Sequence, residues 1–130
     1  MGYLFEVGVI QEFEAAHKLK GDFGPSSFLH GHTYKVEVKV KGEKLDDQGV
    51  LFDLGALKES LNKVIGQLHC RYLNELEAFK KENPTAENVC KFIIEQLLQK
   101  INKDHSKLSQ LKVTVWESSS AFASCQKIFK

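Results

Sequence analysis

The stretch FLHGHTYKVEVKV, Phe28 to Val40, decides how the rest of the chain is read. From residue 32 to residue 41 its side chains alternate. Tyr34, Val36, Val38 and Val40 share one parity, and Lys35, Glu37, Lys39 and Lys41 share the other. That is the period of a strand with one face buried and one face in water. His30 and His32 have the parity of the apolar set. Two imidazoles therefore stand at the entrance of the strand, on its buried side.

Reading outward, residues 3–15 alternate as well. Tyr3, Phe5, Val7, Val9, Phe13 and Ala15 predict a long strand with one buried face, and His17 continues that parity. Residues 18–29, KLKGDFGPSSFL, have the Gly, Pro, Asp and Ser content of a loop. The segment GEKLDDQGV, 42–50, reads as a turn. Asp53 caps a helix whose stripe is Leu54, Leu57, Leu61, Val64, Ile65 and Leu68. Residues 69–84 form a linker of mixed charge ending at Pro84. Thr85 caps a second helix with the stripe Val89, Phe92, Ile93, Leu97 and Ile101. LKVTVWE from Leu111 and FASCQKIFK from Phe122 close the chain as two short strands joined by a Ser-rich turn.

The order strand, strand, helix, helix, strand, strand predicts a single α+β domain over 1–130. Its sheet is antiparallel and its helices lie on one face. So small a sheet leaves open edges, and association of subunits is one way to close them.

The composition belongs to an ordinary soluble domain: 130 residues, 42% hydrophobic, 27% charged, net charge +1. Near-neutral charge gives no reason to expect a nucleic-acid partner or an anionic membrane surface. No apolar run is long enough to span a bilayer, and no signal peptide is visible. Glu6 occupies the position where myristoylation after Gly2 needs Ser or Thr. Cys70, Cys90 and Cys125 are odd in number and scattered, which predicts reduced thiols and a cytoplasmic protein.

If the first two strands pair across the 18–29 loop, His17, His30 and His32 can converge. Three neutral imidazoles with a fourth position open are a catalytic zinc arrangement. Gly31 between two of them would let the backbone turn sharply or pass close to a ligand. A lone His on an apolar face is more often a hydrogen-bonded core residue, and spacing does not choose between the two readings. Glu117 has the parity of Leu111, Val113 and Val115. It is either solvated at the strand end or a carboxylate that meets two adjacent N–H groups of a planar ligand such as a pterin or guanine.

Five segments then coincide in order: FEAAHKL at 13–19, LHGHTYKVEVKVKG at 29–42, GVLFDLGALKESL at 49–61, NPTAENV at 83–89 and VTVWES at 113–118. Together they resemble the 6-pyruvoyl-tetrahydropterin and 6-carboxy-tetrahydropterin synthases. The resemblance implies the tunnelling fold, a four-stranded antiparallel sheet with two helices on one side. It also implies a homohexamer built as a dimer of trimers, with active sites between subunits. It implies zinc held by His17, His30 and His32, a pterin ring anchored by Glu117, and Thr85 near that ring. The substrate it implies is 7,8-dihydroneopterin triphosphate, in a pathway such as queuosine, biopterin or folate biosynthesis.

Two family features are missing. The general-base cysteine falls at Ser26, and serine is a poor base near neutral pH unless activated. The loop offers only the carboxylate of Asp22. The family's Asp-His pair falls on His69 and Cys70 in the segment QLHCRYLNEL. One reading is a lyase with a rewritten acid–base set, carried by His69 and Cys70. Another is a zinc-containing pterin- or purine-binding protein with little turnover. A purely structural zinc site fits less well, because three His without a fourth protein ligand leave it open. For Cys70 the plain alternative is a small apolar residue at a helix end, for Thr85 a helix cap, and for Arg71 and the lysines, which could meet phosphates, solvated charge.

Overall fold

The computed structural model describes residues 2–101 and 107–129. β1 (Phe5–His17) and β2 (His30–Gly42) form an antiparallel ladder from Phe5 opposite Gly42 to His17 opposite His30. β2 pairs with β4 (Gln110–Ser118), and β4 with β5 (Ala121–Ile128), both antiparallel. α1 (Leu54–Ile65) and α2 (Ala86–Ile101) lie between β2 and β4 in sequence. α1 packs on β1, α2 packs on β4 and β5, and the two helices pack on each other. This is the predicted α+β arrangement in the predicted order.

The sheet has one strand more than the alternation predicts. β3 (Arg71–Tyr72) adds to the free edge of β1, opposite Ala15 and Ala16, and runs parallel to it. The order across the sheet is β3-β1-β2-β4-β5. Two residues are too few to show a period, so the linker reading concealed this strand.

Alternation explains the core. Tyr34, Val36, Val38 and Val40 of β2 and Leu111, Val113 and Val115 of β4 are buried under Leu57, Leu61, Val64 and Ile65 of α1 and Val89, Ile93 and Leu97 of α2. Two details depart from the expected faces. Tyr3 and Phe5 are exposed and Val7 and Val9 only half-buried, because the helices cover β1 from Phe13 onward. Leu54 is exposed in the first turn of α1, where Asp53 accepts the N–H of Ala56 at 3.1 Å as the cap. The β4 strand ends in a register shift between Trp116 and Ser118, so Glu117 is the residue pushed out of the ladder. Lys130, the last residue of the predicted final strand, lies outside the described residues. No described helix is long and apolar enough to cross a membrane, and all three cysteines are free.

Candidate metal centre

The β1–β2 ladder carries the three histidines to one place. His17 and His30 are opposite each other at its last register position, and His32 is two residues further into β2 on the same face. One ring nitrogen from each lies within 4.8 Å of the others. The rings meet edge to face, with centroids 4.4 Å apart for His17 and His30, 5.1 Å for His17 and His32, and 4.8 Å for His30 and His32.

Backbone carbonyls fix the tautomers. A carbonyl only accepts, so Nδ1 of His17 carries the proton it donates to Pro84 O at 2.7 Å, and Nδ1 of His30 donates to Phe28 O at 2.8 Å. The His32 ring lies beside Glu117, whose charge and backbone act on it. Nε2 of His17 and Nε2 of His32 are buried and lack a hydrogen-bond partner among the described residues. Orphaned buried acceptors are costly. Two such nitrogens beside a third imidazole, with the His17 and His30 rings held from behind, form a cluster that could hold a metal ion.

The electrostatics agree. Burial lowers the pKa of His17 and of His32 below 6.5, and the neighbouring His30 lowers both further, while Glu117 pulls both upward. Both rings are held toward the neutral form that binds metal. Tyr34 is fully buried, stacks on Phe13 with centroids 4.8 Å apart, and places its hydroxyl 3.3 Å from Nδ1 of His17. Burial and then the charge of Glu117 push the Tyr34 hydroxyl well above its usual range, so it stays protonated.

The other candidates fall at different distances from this centre. Glu117 acts electrostatically on His17, His32 and Tyr34 and so borders the cluster. Thr85 follows Pro84 directly, and its Oγ1 accepts the N–H of Asn88 at 3.1 Å, which makes it the cap of α2. Ser26 lies in a 3-10 turn, Gly24–Ser27, and its carbonyl accepts the N–H of Leu19 at 2.8 Å. His69 sits on the edge of β1, where its Nδ1 accepts the N–H of Glu14 at 3.1 Å. The N–H of Cys70 donates to the carbonyl of the same Glu14 at 2.6 Å. Cys70 is exposed and has φ +60°, a left-handed conformation. With Arg71, Gly31 and His32 it lines an open cavity of about 460 Å³. Gly31 needs no special backbone angle, and an added Cβ would meet only Ala15 O at 3.7 Å. Tyr34 and Pro84 also meet His17, and Asn74 and Asn83 hold Lys18 and Lys20 in the chain that follows it. The segment NPTAENV is the sequence signal for Pro84 and Asn83.

Comparison with known proteins fits this geometry. The sequence profile of 6-pyruvoyl tetrahydropterin synthase matches residues 6–127. A 6-carboxy-5,6,7,8-tetrahydropterin synthase of Bacillus subtilis is 30% identical over 125 residues, 92% of this chain and 84% of that protein. A dihydroneopterin monophosphate aldolase of Pyrococcus furiosus is 35% identical over 105 residues, 81% of this chain and 82% of that protein. The structure of the Caenorhabditis elegans 6-pyruvoyl tetrahydropterin synthase superposes with a TM-score of 0.85 at 28% identity, covering 96% of each chain. The profile runs through both strands that bear the histidines and on to β5, and by that match the chain belongs to the 6-pyruvoyl tetrahydropterin synthase family.

Proposed function

We propose that the chain is a zinc-dependent lyase acting on the side chain of 7,8-dihydroneopterin triphosphate or a related pterin. The observation that carries this reading is the convergence of three imidazoles, His17 and His30 with tautomers fixed by carbonyls and His17 and His32 with orphaned Nε2 atoms, beside Glu117. His17, His30 and His32 would hold zinc, which when bound supplies Lewis acidity to an oxygen of the pterin side chain. Glu117 accepts the two adjacent N–H groups of the pterin edge, which fixes the ring and presents the side chain to the histidines. Thr85 has given its acceptor to Asn88 and keeps its O–H to donate to the ring.

The acid–base work falls to Cys70 and His69. Cys70 shares a cavity with His32 and is open to solvent. His69 accepts from Glu14 at Nδ1 and so carries its proton at Nε2 when neutral, where it can donate. Ser26, at the place of the family's cysteine, supplies no ready base. The assembly that fits is the family's homohexamer. The open edges at β3 and β5 are available for it, and in that assembly the site would lie between subunits. A cytoplasmic location suits the free thiols.

The likeness to the Pyrococcus furiosus aldolase favours side-chain cleavage as the second reading. On that reading a base would remove the proton of a side-chain hydroxyl, the adjacent carbon–carbon bond would break, and the outer carbons would leave as an aldehyde. An acid then returns a proton to the carbon left on the ring. The replacement of the family's base by Ser26 favours a third, a pterin- or purine-binding protein with little turnover.

Incubating the zinc-loaded protein with dihydroneopterin triphosphate and with the monophosphate, followed by mass identification, separates the three. Loss of triphosphate supports the synthase reading and a hydroxymethyl pterin the aldolase reading. Bound, unchanged pterin supports the binding protein. Failure to bind any pterin sinks all of them.

A further inference from the structure

The edge of β1 that faces away from β2 needs hydrogen-bond partners for Glu14, Ala16 and the residues that follow. His69 and Cys70 serve Glu14, and β3 serves Ala15 and Ala16. Beyond β3 two asparagine side chains take the place of a neighbouring strand. The N–H of Lys18 donates to Oδ1 of Asn74 at 3.0 Å, and Nδ2 of Asn74 donates to the carbonyl of Lys18 at 2.9 Å. The N–H of Lys20 donates to Oδ1 of Asn83 at 2.7 Å, and Nδ2 of Asn83 donates to the carbonyl of Lys20 at 2.9 Å. A primary amide presents an acceptor and a donor in one plane, so each Asn closes both bonds on one backbone residue.

Asn83 is itself tied down. Nδ2 of Asn88 donates to the carbonyl of Asn83 at 2.8 Å, and the N–H of Asn88 is held by Thr85. Between Asn83 and Thr85 lies Pro84, whose carbonyl takes the Nδ1 proton of His17. Asn83 therefore reaches toward both sides of that hydrogen bond. Its side chain grips Lys20, three residues after His17, and its backbone leads into the acceptor.

We propose that Asn83 is a positioning residue of the metal centre. It fixes the direction of Nε2 of His17 by locking the Pro84 carbonyl against Nδ1. Asn74 steadies the same turn from Lys18. The proposal rests on the reading of His17, His30 and His32 as zinc ligands. Groups that orient a ligating imidazole are worth roughly 10- to 100-fold in metal affinity.

The test titrates zinc against the whole chain by competition with a chelating dye, for wild type, Asn83→Ala, Asn88→Ala and, as a control on the exposed face of α1, Asn62→Ala. In parallel, the His17 Nδ1–H resonance is followed by NMR in the metal-free protein. Asn83→Ala is expected to weaken zinc binding roughly 10- to 100-fold and to lose the slowly exchanging His17 proton. Asn88→Ala moves both readouts in the same direction by less, and Asn62→Ala moves neither. Zinc affinity within twofold of wild type in Asn83→Ala overturns the proposal. So does weakened binding with the His17 resonance unchanged, since the effect would then lie elsewhere. If Asn83→Ala does not fold, Asn88→Ala decides by the same two readouts. Wild type that takes up no zinc defeats the zinc reading itself, and the His17 resonance then decides whether Asn83 orients the ring.

Discussion

His17 and His30 are the last opposed residues of the β1–β2 ladder, and their ring centroids are 4.4 Å apart. Their distance is set by the strand register and not by a flexible loop. A slip of one residue would send one ring to the open face of the sheet.

Replacing His17 with Ala should lower zinc affinity by more than roughly 100-fold, beyond the range of an outer-shell contact. Far-UV circular dichroism should keep the sheet signal, since the ladder bonds are backbone bonds. Dye competition checks the first claim. Zinc binding as tight as in wild type would remove His17 from the ligand set.

The stability of the metal-free chain should depend on pH through the buried imidazoles. Burial, then the neighbouring His30, hold His17 and His32 below 6.5, the value they regain on unfolding. The unfolded chain therefore binds more protons between the two values. Stability from these groups is fully present above about 6.5 and is lost as the pH falls from there through the folded values. Urea melts of metal-free protein from pH 8 to pH 5 should show the midpoint declining in the lower half of that range. A midpoint that rises on acidification would contradict the burial account.

Glu117→Gln should weaken pterin binding by about 10- to 100-fold, the effect of losing a charge-assisted hydrogen bond of about 1.5–3 kcal/mol. One zinc per chain should still be bound, because the carboxylate borders the imidazoles without being one of them. Calorimetry with a non-reactive dihydropterin measures the first quantity, and metal analysis the second. Equal pterin affinity in the variant would place the ring elsewhere.

Cys70 offers a test of the acid–base set that separates chemistry from folding. Its φ of +60° suits glycine. Cys70→Gly should leave the thermal midpoint at or above that of wild type, since it removes the Cβ crowding of about 1–2 kcal/mol that Cys70 already bears, whereas the β-branched Cys70→Val should lower it. Turnover in Cys70→Gly reports on the thiol alone. In the intact protein Cys70, being exposed, should be alkylated first. Cys90 should be modified last, since the neighbouring Cys125 and burial push its thiol up, and its S–H donates to Val113 O at 3.0 Å.

Periodicity made most of this fold legible. Alternation in β2 and β4 and helical spacing in α1 and α2 name the buried side chains, because burial on one face is what selects apolar residues there. It also puts His30 and His32 on the inner face without any knowledge of the pairing. Periodicity says nothing about how far a face is covered, so Tyr3 and Phe5 read as core and are exposed. Nor does it see partners far away in sequence. The Pro84 carbonyl behind His17, the amides of Asn74 and Asn83, and the pairing of Arg71 with Ala15 are all made by a segment without a repeating pattern. The departures at Ser26, His69 and Cys70 were visible as letters. Their geometry was not, since the left-handed turn at Cys70 and the bond from Glu14 to His69 depend on where the linker docks.

The bonds that hold the end of β1 in place bridge 55 residues from Glu14 to His69, 63 from Lys20 to Asn83 and 67 from His17 to Pro84. The ladder between β1 and β2 is closed across a much shorter loop. Loop closure makes distant contacts slow and late. The hairpin that carries the three histidines can therefore form while the segment that aims His17 is still searching for it. Folding would then proceed in two stages, with the strands first and the aiming of His17 last, and a chain that meets zinc between them would bind it through rings not yet oriented.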